Sequence, residues 1–581
     1  MNQILNLKSN RVGFIFIIFI ATYIFALLIN ANLAPNDDFM MLRTLQSDKP
    51  FLYYSADFPY YNLAKYGRFT PLAALEYNIF LPFSKSPSPF LYYLYHATQF
   101  LILIFILLKI FELSIPKKST RYLLIMLLSL IPGFTFVWFR TQLPERNFIF
   151  FLAAFLLFFI NYAQKKQWGY FTLTLISANL TIYYKEIAFI IVGAFAFFYL
   201  LSSWKQSDKK TKILCALIIL SALIYVIIYG LYILPKGGAF THGKNTSIPF
   251  YVTLLKNLLN YGFMTDPLII FIFLPLCIWR LKQIFIKHKI TEPLYDSMLF
   301  SAFLFVIAYF ILNIQGAHYF MPIYVFVIPS VFYFLSQKSC KKSSGAIKSN
   351  WTLKILHLQN FQPPWKCLII ITAFLFLFNS LPLGIHNLTY NKYMALNFNK
   401  TLNFLTNDIK INHSGERANV FLDGLNKGSG NWNYFIVSEF LLHRELTTKQ
   451  FDLRAQIEDV KVSKSQPLPI AIPKIALSYS IFQNEKPSQI KTGDYLIVSS
   501  LSTDFLKKNN GDKNYLKSLE NEYNLAFKTT SKLAFPMLTL KEAARYLLYK
   551  YNNLQPGKKL FTMDIRKPNF ESPDFYVFIK K

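Results

Sequence analysis

VGFIFIIFIATYIFALLINANLAPNDDF, residues 12–39, sets the reading of the whole chain. Its apolar part, Val12 to Leu33, follows Lys8 and Arg11. About 20 such residues span a bilayer as a helix. The run is long for the apolar core of a signal peptide, and no small-x-small cleavage site follows it, so it reads as a retained first membrane helix. Asp37 and Asp38 stand just beyond. Ionisable groups where a chain leaves the bilayer are costly and tend to be functional.

The rest of the chain has the same character. Of 581 residues, 54% are hydrophobic and 18% aromatic, with 60 Phe. A water-soluble protein has nowhere to bury that much apolar surface. The formal charge of +31 would suit a nucleic-acid binder. The basic residues instead lie in short clusters between apolar runs, the positive-inside pattern of a polytopic membrane protein. Nucleic acid is therefore excluded as a partner, and membrane lipids are expected ones. Cys215, Cys277, Cys340 and Cys367 lie in or beside apolar runs without C-x-x-C spacing, which argues against a metal-thiolate site. No cysteine follows residue 367, so the C-terminal region has no internal disulfide.

Apolar runs long enough to cross a bilayer number about eleven. They are centred near Phe19, Ile104, Ile131, Leu156, Ser177, Ala194, Leu223, Ile272, Phe305, Val327 and Phe374. The weakest, Tyr170 to Tyr184, carries Thr172, Thr174, Ser177, Asn179 and Thr181 and reads equally as a shorter, polar-lined helix. Every second connection is basic: Lys117, Lys118 and Arg121; Lys165 and Lys166; Lys205 to Lys212; Arg280 to Lys289; Lys338 to Lys366. Those connections and the N-terminus are expected in the cytoplasm, and the C-terminal region outside it.

The opposite connections are the first loop, about 34–89, the turn Arg140 to Arg146, the turn Tyr184-Lys185-Glu186, a stretch from Pro235 to Asp266, and Gln315 to His318. Asp37, Asp38, Asp48, Asp57, Glu76, Glu145, Glu186 and Asp266 fall on this side. Loop length explains some of that bias. It does not explain Glu145 and Glu186, which sit in very short turns.

From about Asn387 the apolar runs shorten to strand length, as at Ala418 to Leu422 and Asp494 to Val498, with Gly-, Asn- and Lys-rich turns between them. Leu538 to Tyr551 reads as an amphipathic helix. The expected division is a membrane module, 1–386, and an extracytoplasmic α/β domain, 387–581. Asn387, Asn399 and Asn412 open glycosylation sequons, which an Asn-rich chain produces by chance.

Several outer residues suit transfer of a group from a lipid phosphate. A carboxylate can take a proton from an acceptor hydroxyl. Arg and Lys can hold the phosphate. Aromatic juxtamembrane segments suit lipid and sugar. The first loop supplies Asn36-Asp37-Asp38-Phe39 and later Gly67-Arg68-Phe69; short turns supply Arg140, Glu145, Arg146, Lys185 and Glu186; a helix mouth supplies His318-Tyr319 before Phe320-Met321-Pro322. Each has a plain alternative. Asp37-Asp38 also suits a helix N-cap, Arg68 an interfacial snorkelling side chain, Arg140 to Arg146 an ion-paired turn, Lys185-Glu186 a hydrated turn and His318 an interfacial anchor.

An acidic pair after the first helix, Pro144-Glu145 after the third, Lys185-Glu186 after the fifth and the aromatic-Pro mouth occur in this order. Together, over about residues 10 to 335, they resemble the GT-C class of integral-membrane glycosyltransferases, of the protein mannosyltransferase and aminoarabinose transferase type. Asp37-Asp38 followed by Gly67-Arg68-Phe69 is also similar to bacterial O-antigen glucosyltransferases of that class. The resemblance implies an inverting transfer of a monosaccharide from a polyprenyl-phosphate carrier to a cell-envelope glycan or lipid acceptor. It places the reaction on the periplasmic face of a bacterial inner membrane, and the Lys-, Asn- and Ile-rich composition agrees with a bacterial source. Asp37 would be the base, and Asp38 would support it or hold a divalent cation. Lys185 with Arg68, Arg140 or Arg146 would bind the carrier phosphate, and His318 is a further candidate contact. Glu145, Glu186 and Tyr319 would support the site. Many relatives have Asp-Glu where this chain has Asp37-Asp38, and Arg where it has His318. The alternatives are a transporter or flippase for lipid-linked glycans, a non-catalytic envelope assembly protein, and an oligosaccharide polymerase or ligase. A transporter predicts acids in mid-helix and repeated halves; here the acids lie at helix ends and no repeat is visible.

Overall fold

The structure is a computed structural model. It describes residues 2–35, 69–79 except 74, 89–141, 143–233, 235, 249–312, 316–337, 363–413, 415–422, 436–454 except 439 and 448, 488–499, 514–531, 535–547 except 536, 541 and 545, and 574–581. Asp37, Asp38 and Arg68 lie outside the described residues.

The chain is a multi-pass membrane protein. Its helices are α1 (Asn2–Leu28), α2 (Phe90–Glu112), α3 (Lys118–Ser129), α4 (Pro132–Trp138), α5 (Glu145–Lys165), α6 (Trp168–Tyr184), α7 (Ala188–Ser203) and α8 (Lys209–Ile228). Then come α9 (Phe250–Asn260), α10 (Leu274–Leu281), α11 (Pro293–Ile311), α12 (Ala317–Phe320), α13 (Tyr324–Gln337), α14 (Pro363–Leu375) and α15 (Leu381–Asn412). Local chemistry sets several ends. Asp208 caps α8 by accepting from the Thr211 N–H at 2.8 Å. Lys166 closes α5 in the left-handed region at φ 55°.

Among the described residues, eight helices are long and apolar enough to cross a membrane, or nine when α3 and α4, bent by 67°, count as one span. The expected eleven also includes α6 and α7, which have only 17 and 16 residues. The bend falls at the expected centre Ile131, because Pro132 cannot continue the helix before it.

Contacts sort the helix ends into two groups. At one end, Arg121 pairs with Glu112 at 3.1 Å, the Tyr295 hydroxyl donates to the Leu113 carbonyl, and Thr291 donates to the Ser202 carbonyl. At the other end lie the end of α1, the start of α2, the 139–146 turn, Lys185 and α12. This second end also carries the sheet domain.

That domain has a five-stranded sheet in the order β2-β1-β3-β5-β4, from β1 (Ala418–Leu422), β2 (Phe451–Arg454), β3 (Tyr495–Ser499), β4 (Tyr523–Lys528) and β5 (Phe575–Lys580). β2, β1 and β3 are parallel, and β5 runs antiparallel to β3 and β4. Both faces are covered, as parallel strands require. Val420, Leu422, Leu453, Tyr495 and Val577 pack with Leu402, Leu405 and Ile409 of α15. Phe421, Leu496, Val498 and Phe578 face the other way, toward Tyr515 of α16 (Asn514–Glu522). Of the expected helix 538–551, residues 540, 542–544, 546 and 547 are helical, 538 and 539 precede it, and the others lie outside the described residues.

Residues 386 and 387 fall inside α15, so one helix runs from the bundle into the sheet domain. Two π-helical turns, Tyr261–Thr265 and Phe376–Ser380, meet beside it. There the Asn379 side chain donates to the Phe263 carbonyl and Ser380 to the Thr265 carbonyl. Side chains thus satisfy carbonyls that the wider turn frees.

Candidate active site

The candidate site grows from the first turn of α5. Glu145, Arg146 and Asn147 are all buried there, behind Pro144. Successive helical residues point about 100° apart. Glu145 and Arg146 therefore serve two different clusters.

Glu145 faces the turn between α6 and α7. Lys185 Nζ lies 2.7 Å from Glu145 Oε1 and 3.9 Å from Glu186 Oε2. It also lies 5.1 Å from the centre of the Tyr319 ring. Lys185 is only 6% exposed, so its charge is held largely out of water. Tyr319 touches His318, whose ring stacks on Phe136 with centroids 4.9 Å apart. The Arg140 guanidinium lies 3.8 Å from the centre of that Phe136 ring. Gly133 makes this approach possible, because a Cβ there would come within 2.6 Å of the Ala317 carbonyl oxygen. Arg140, Glu145, Lys185, Glu186, His318 and Tyr319, from three turns far apart in sequence, thus form one ion-paired and aromatic cluster.

Arg146 faces inward and is fully buried. Its Nε donates to Gln99 Oε1 at 3.1 Å, Nη1 to the carbonyls of Arg140 and Thr141, and Nη2 to Glu76 Oε1 at 3.3 Å. Asn147 bridges Gln99 and Glu76. Burial pushes the Glu76 carboxyl above its usual range, and Arg146 and Asn147 oppose that shift. Glu76, from the first outer loop, is thereby tied to the turn that carries Glu145.

Sequence reasoning placed Glu76 among the outer acids and gave it no role. Gln99 and Asn147 were missed entirely. The signal available was two amides amid apolar helices, where an amide needs a partner.

The end of the first loop docks beside Lys185. The Leu72 N–H donates to the Tyr183 carbonyl at 3.3 Å, and the Tyr225 hydroxyl donates to the Phe69 carbonyl at 2.6 Å. Between Leu72 and α6 runs an open apolar groove of about 330 Å³, lined by Leu175, Ile176, Asn179, Leu180 and Tyr183. Among the described residues, no three His, Cys, Asp or Glu side chains gather as a metal site would need.

Residues 73–229, which hold Glu76, Arg140, Glu145, Arg146 and Lys185, match the family model described as dolichyl-phosphate-mannose-protein mannosyltransferase. That stretch is 157 of the 581 residues. The match leaves out His318, Tyr319 and the sheet domain. Two solved structures of the Archaeoglobus fulgidus oligosaccharyltransferase are similar at 12% identity, each covering 98% of this chain and 88% of the other. One is AglB in complex with an inhibitory peptide and a dolichol-phosphate, at a TM-score of 0.40; the other is the apo form, at 0.43. Likeness at that level carries no argument about the site. No curated protein matches the sequence.

Proposed function

We propose that this protein is an inverting glycosyltransferase of the GT-C class. It moves a monosaccharide from a polyprenyl-phosphate carrier to a cell-envelope glycan or lipid acceptor on the outer face of a bacterial inner membrane. The observation that carries this reading is the convergence of Lys185, Arg140 and His318-Tyr319 beside the docked end of the first loop. A departing phosphate needs cations held in place before the reaction, in a site shielded from water. Lys185 meets that need, held by Glu145 and Glu186. Arg140 and Arg68 are the further phosphate contacts. Arg146 holds Glu76, and His318 and Tyr319 form the aromatic wall. The groove along α6 suits the polyprenyl tail. The acceptor oxygen attacks the anomeric carbon from the face opposite the phosphate. Its proton passes to Asp37, and the carbon–oxygen bond to the phosphate breaks. Asp38 supports Asp37 or holds a divalent cation.

The test is transfer of labelled sugar from polyprenyl-phosphate donors in membranes with matched expression of wild type, Asp37→Asn and Lys185→Met. Transfer by wild type is expected, with a loss of about 10²–10³-fold in each variant. Wild-type activity retained in Asp37→Asn removes Asp37 as base. Activity retained in Lys185→Met removes the phosphate site.

A further inference from the structure

The first outer loop leaves α1 through residues 29–35, and this root is held by the helix that carries the sheet domain. Lys392, in the middle of α15, donates from Nζ to the Leu27 carbonyl at 2.6 Å and to the Ile29 carbonyl at 3.1 Å. These are carbonyls at the end of α1, where no helical N–H follows and a cation is favoured. The same ammonium lies 4.4 Å from the centre of the Tyr93 ring and 5.8 Å from that of Phe139. Tyr93 in turn places its hydroxyl 3.4 Å from both the Asn32 and the Phe139 carbonyls. Phe139 immediately precedes Arg140. One lysine thus ties the root of the acidic loop to the turn bearing Arg140.

Two turns further along α15, Asn399 donates to the Leu33 carbonyl at 2.8 Å and accepts from Arg444 of the sheet domain. Leu33 itself is buried in the apolar cluster formed by α15 and the sheet. The root of the loop is therefore part of the sheet domain's core.

We infer that Lys392 is a positioning residue for the reaction proposed above. Through α15 the sheet domain sets where the root of the first loop, residues 29–35, stands relative to the Arg140 and Lys185 cluster. The inference rests on that functional reading for its catalytic half, and on geometry alone for the contact.

The test compares Lys392→Met, which keeps the length and loses the charge and donors, with Lys392→Arg, which keeps both. Asn399→Leu removes the second hold independently. Two readouts are needed. Hydrogen exchange at residues 27–35 is expected to rise at least about tenfold in Lys392→Met and to return toward wild type in Lys392→Arg, while exchange at 495–499 stays unchanged as a control for folding. In transfer, kcat is expected to fall about 10- to 100-fold with donor KM within about threefold, and Lys392→Arg to recover most of it. Unchanged exchange at 27–35 overturns the contact. Raised exchange with wild-type kcat overturns the positioning role. Absence of transfer by wild type overturns the functional reading and with it the catalytic half, while exchange still decides the contact.

Discussion

At the residue scale, burial and pairing decide what each charge can do. Glu145 and Arg146 are neighbours in sequence, yet one holds a lysine and the other holds the first loop. Reading them as a single charged turn misses that division, because only the helical rotation separates them. Asp266 is a second instance. In sequence it is only one more outer acid, but it is buried and accepts from the Tyr324 hydroxyl. Burial lifts its carboxyl to about 7. In the unfolded chain it titrates near 3.9. Between those values the folded protein holds a proton that the unfolded chain has released. Raising pH through that window therefore favours unfolding, and the effect levels off above about 7. Thermal unfolding in detergent should show a midpoint that falls from pH 5 to pH 7. Asp266→Asn keeps an acceptor for Tyr324 and should flatten that part of the profile. An unchanged profile in the variant would mean that Asp266 is ionised in the folded protein.

At the scale of elements, close backbone approach is the controlling feature. Gly384 lies where α15 crosses the bend between α3 and α4, and a Cβ there would sit 1.7 Å from the Leu130 carbonyl oxygen. That neighbour is backbone and cannot rotate away. Gly384→Ala should therefore push α15 off the bend and cost about 1–3 kcal/mol. Gly169, at the start of α6, has nothing within 4 Å of such a Cβ. Gly169→Ala should be neutral or stabilising by up to about 1 kcal/mol. Thermal unfolding of the two variants side by side checks both signs, and an unaffected Gly384→Ala would mean that α15 does not pack so closely there. The sequence made some of this legible. The apolar runs gave nearly every membrane helix, since the bilayer demands a length and a composition. The run centred near Ile131 was expected as one span; Pro132 breaks its helix there, and the two pieces meet at 67°. The helix through residue 387 was readable too: Met394, Phe398, Leu402, Leu405 and Ile409 recur every three or four residues and are all buried. The fall in hydropathy hid that period. The Glu76 contact was not readable, because a link between positions 76 and 146 leaves no local pattern.

At the scale of the whole molecule, the question is which end of the bundle faces out. The first turn of α2 sets Tyr93 against Phe139, and the helix ends at Glu112, which Arg121 grips. α3 and α4 together therefore run back along the full length of α2, so the bent pair makes one passage. α6 and α7 form an antiparallel pair, and counting both or neither leaves the parity unchanged. Nine passages or eleven, the N-terminus and the sheet domain stand at opposite ends. α6 is about 26 Å long at 1.5 Å per residue, against about 30 Å of hydrocarbon. Its Lys185 turn is buried among the neighbouring helix ends. The basic loops sit at the other end, which the positive-inside rule predicts to be the cytoplasmic one. A reporter that matures only outside the cytoplasm, fused after Lys581, should be active, and the same reporter fused after Gln206 should be inactive. Activity at both junctions, or at neither, would mean an even number of passages between residues 206 and 581, against the five expected there. Activity only after Gln206 would invert the molecule and place the Lys185 cluster on the cytoplasmic face, away from any periplasmic acceptor.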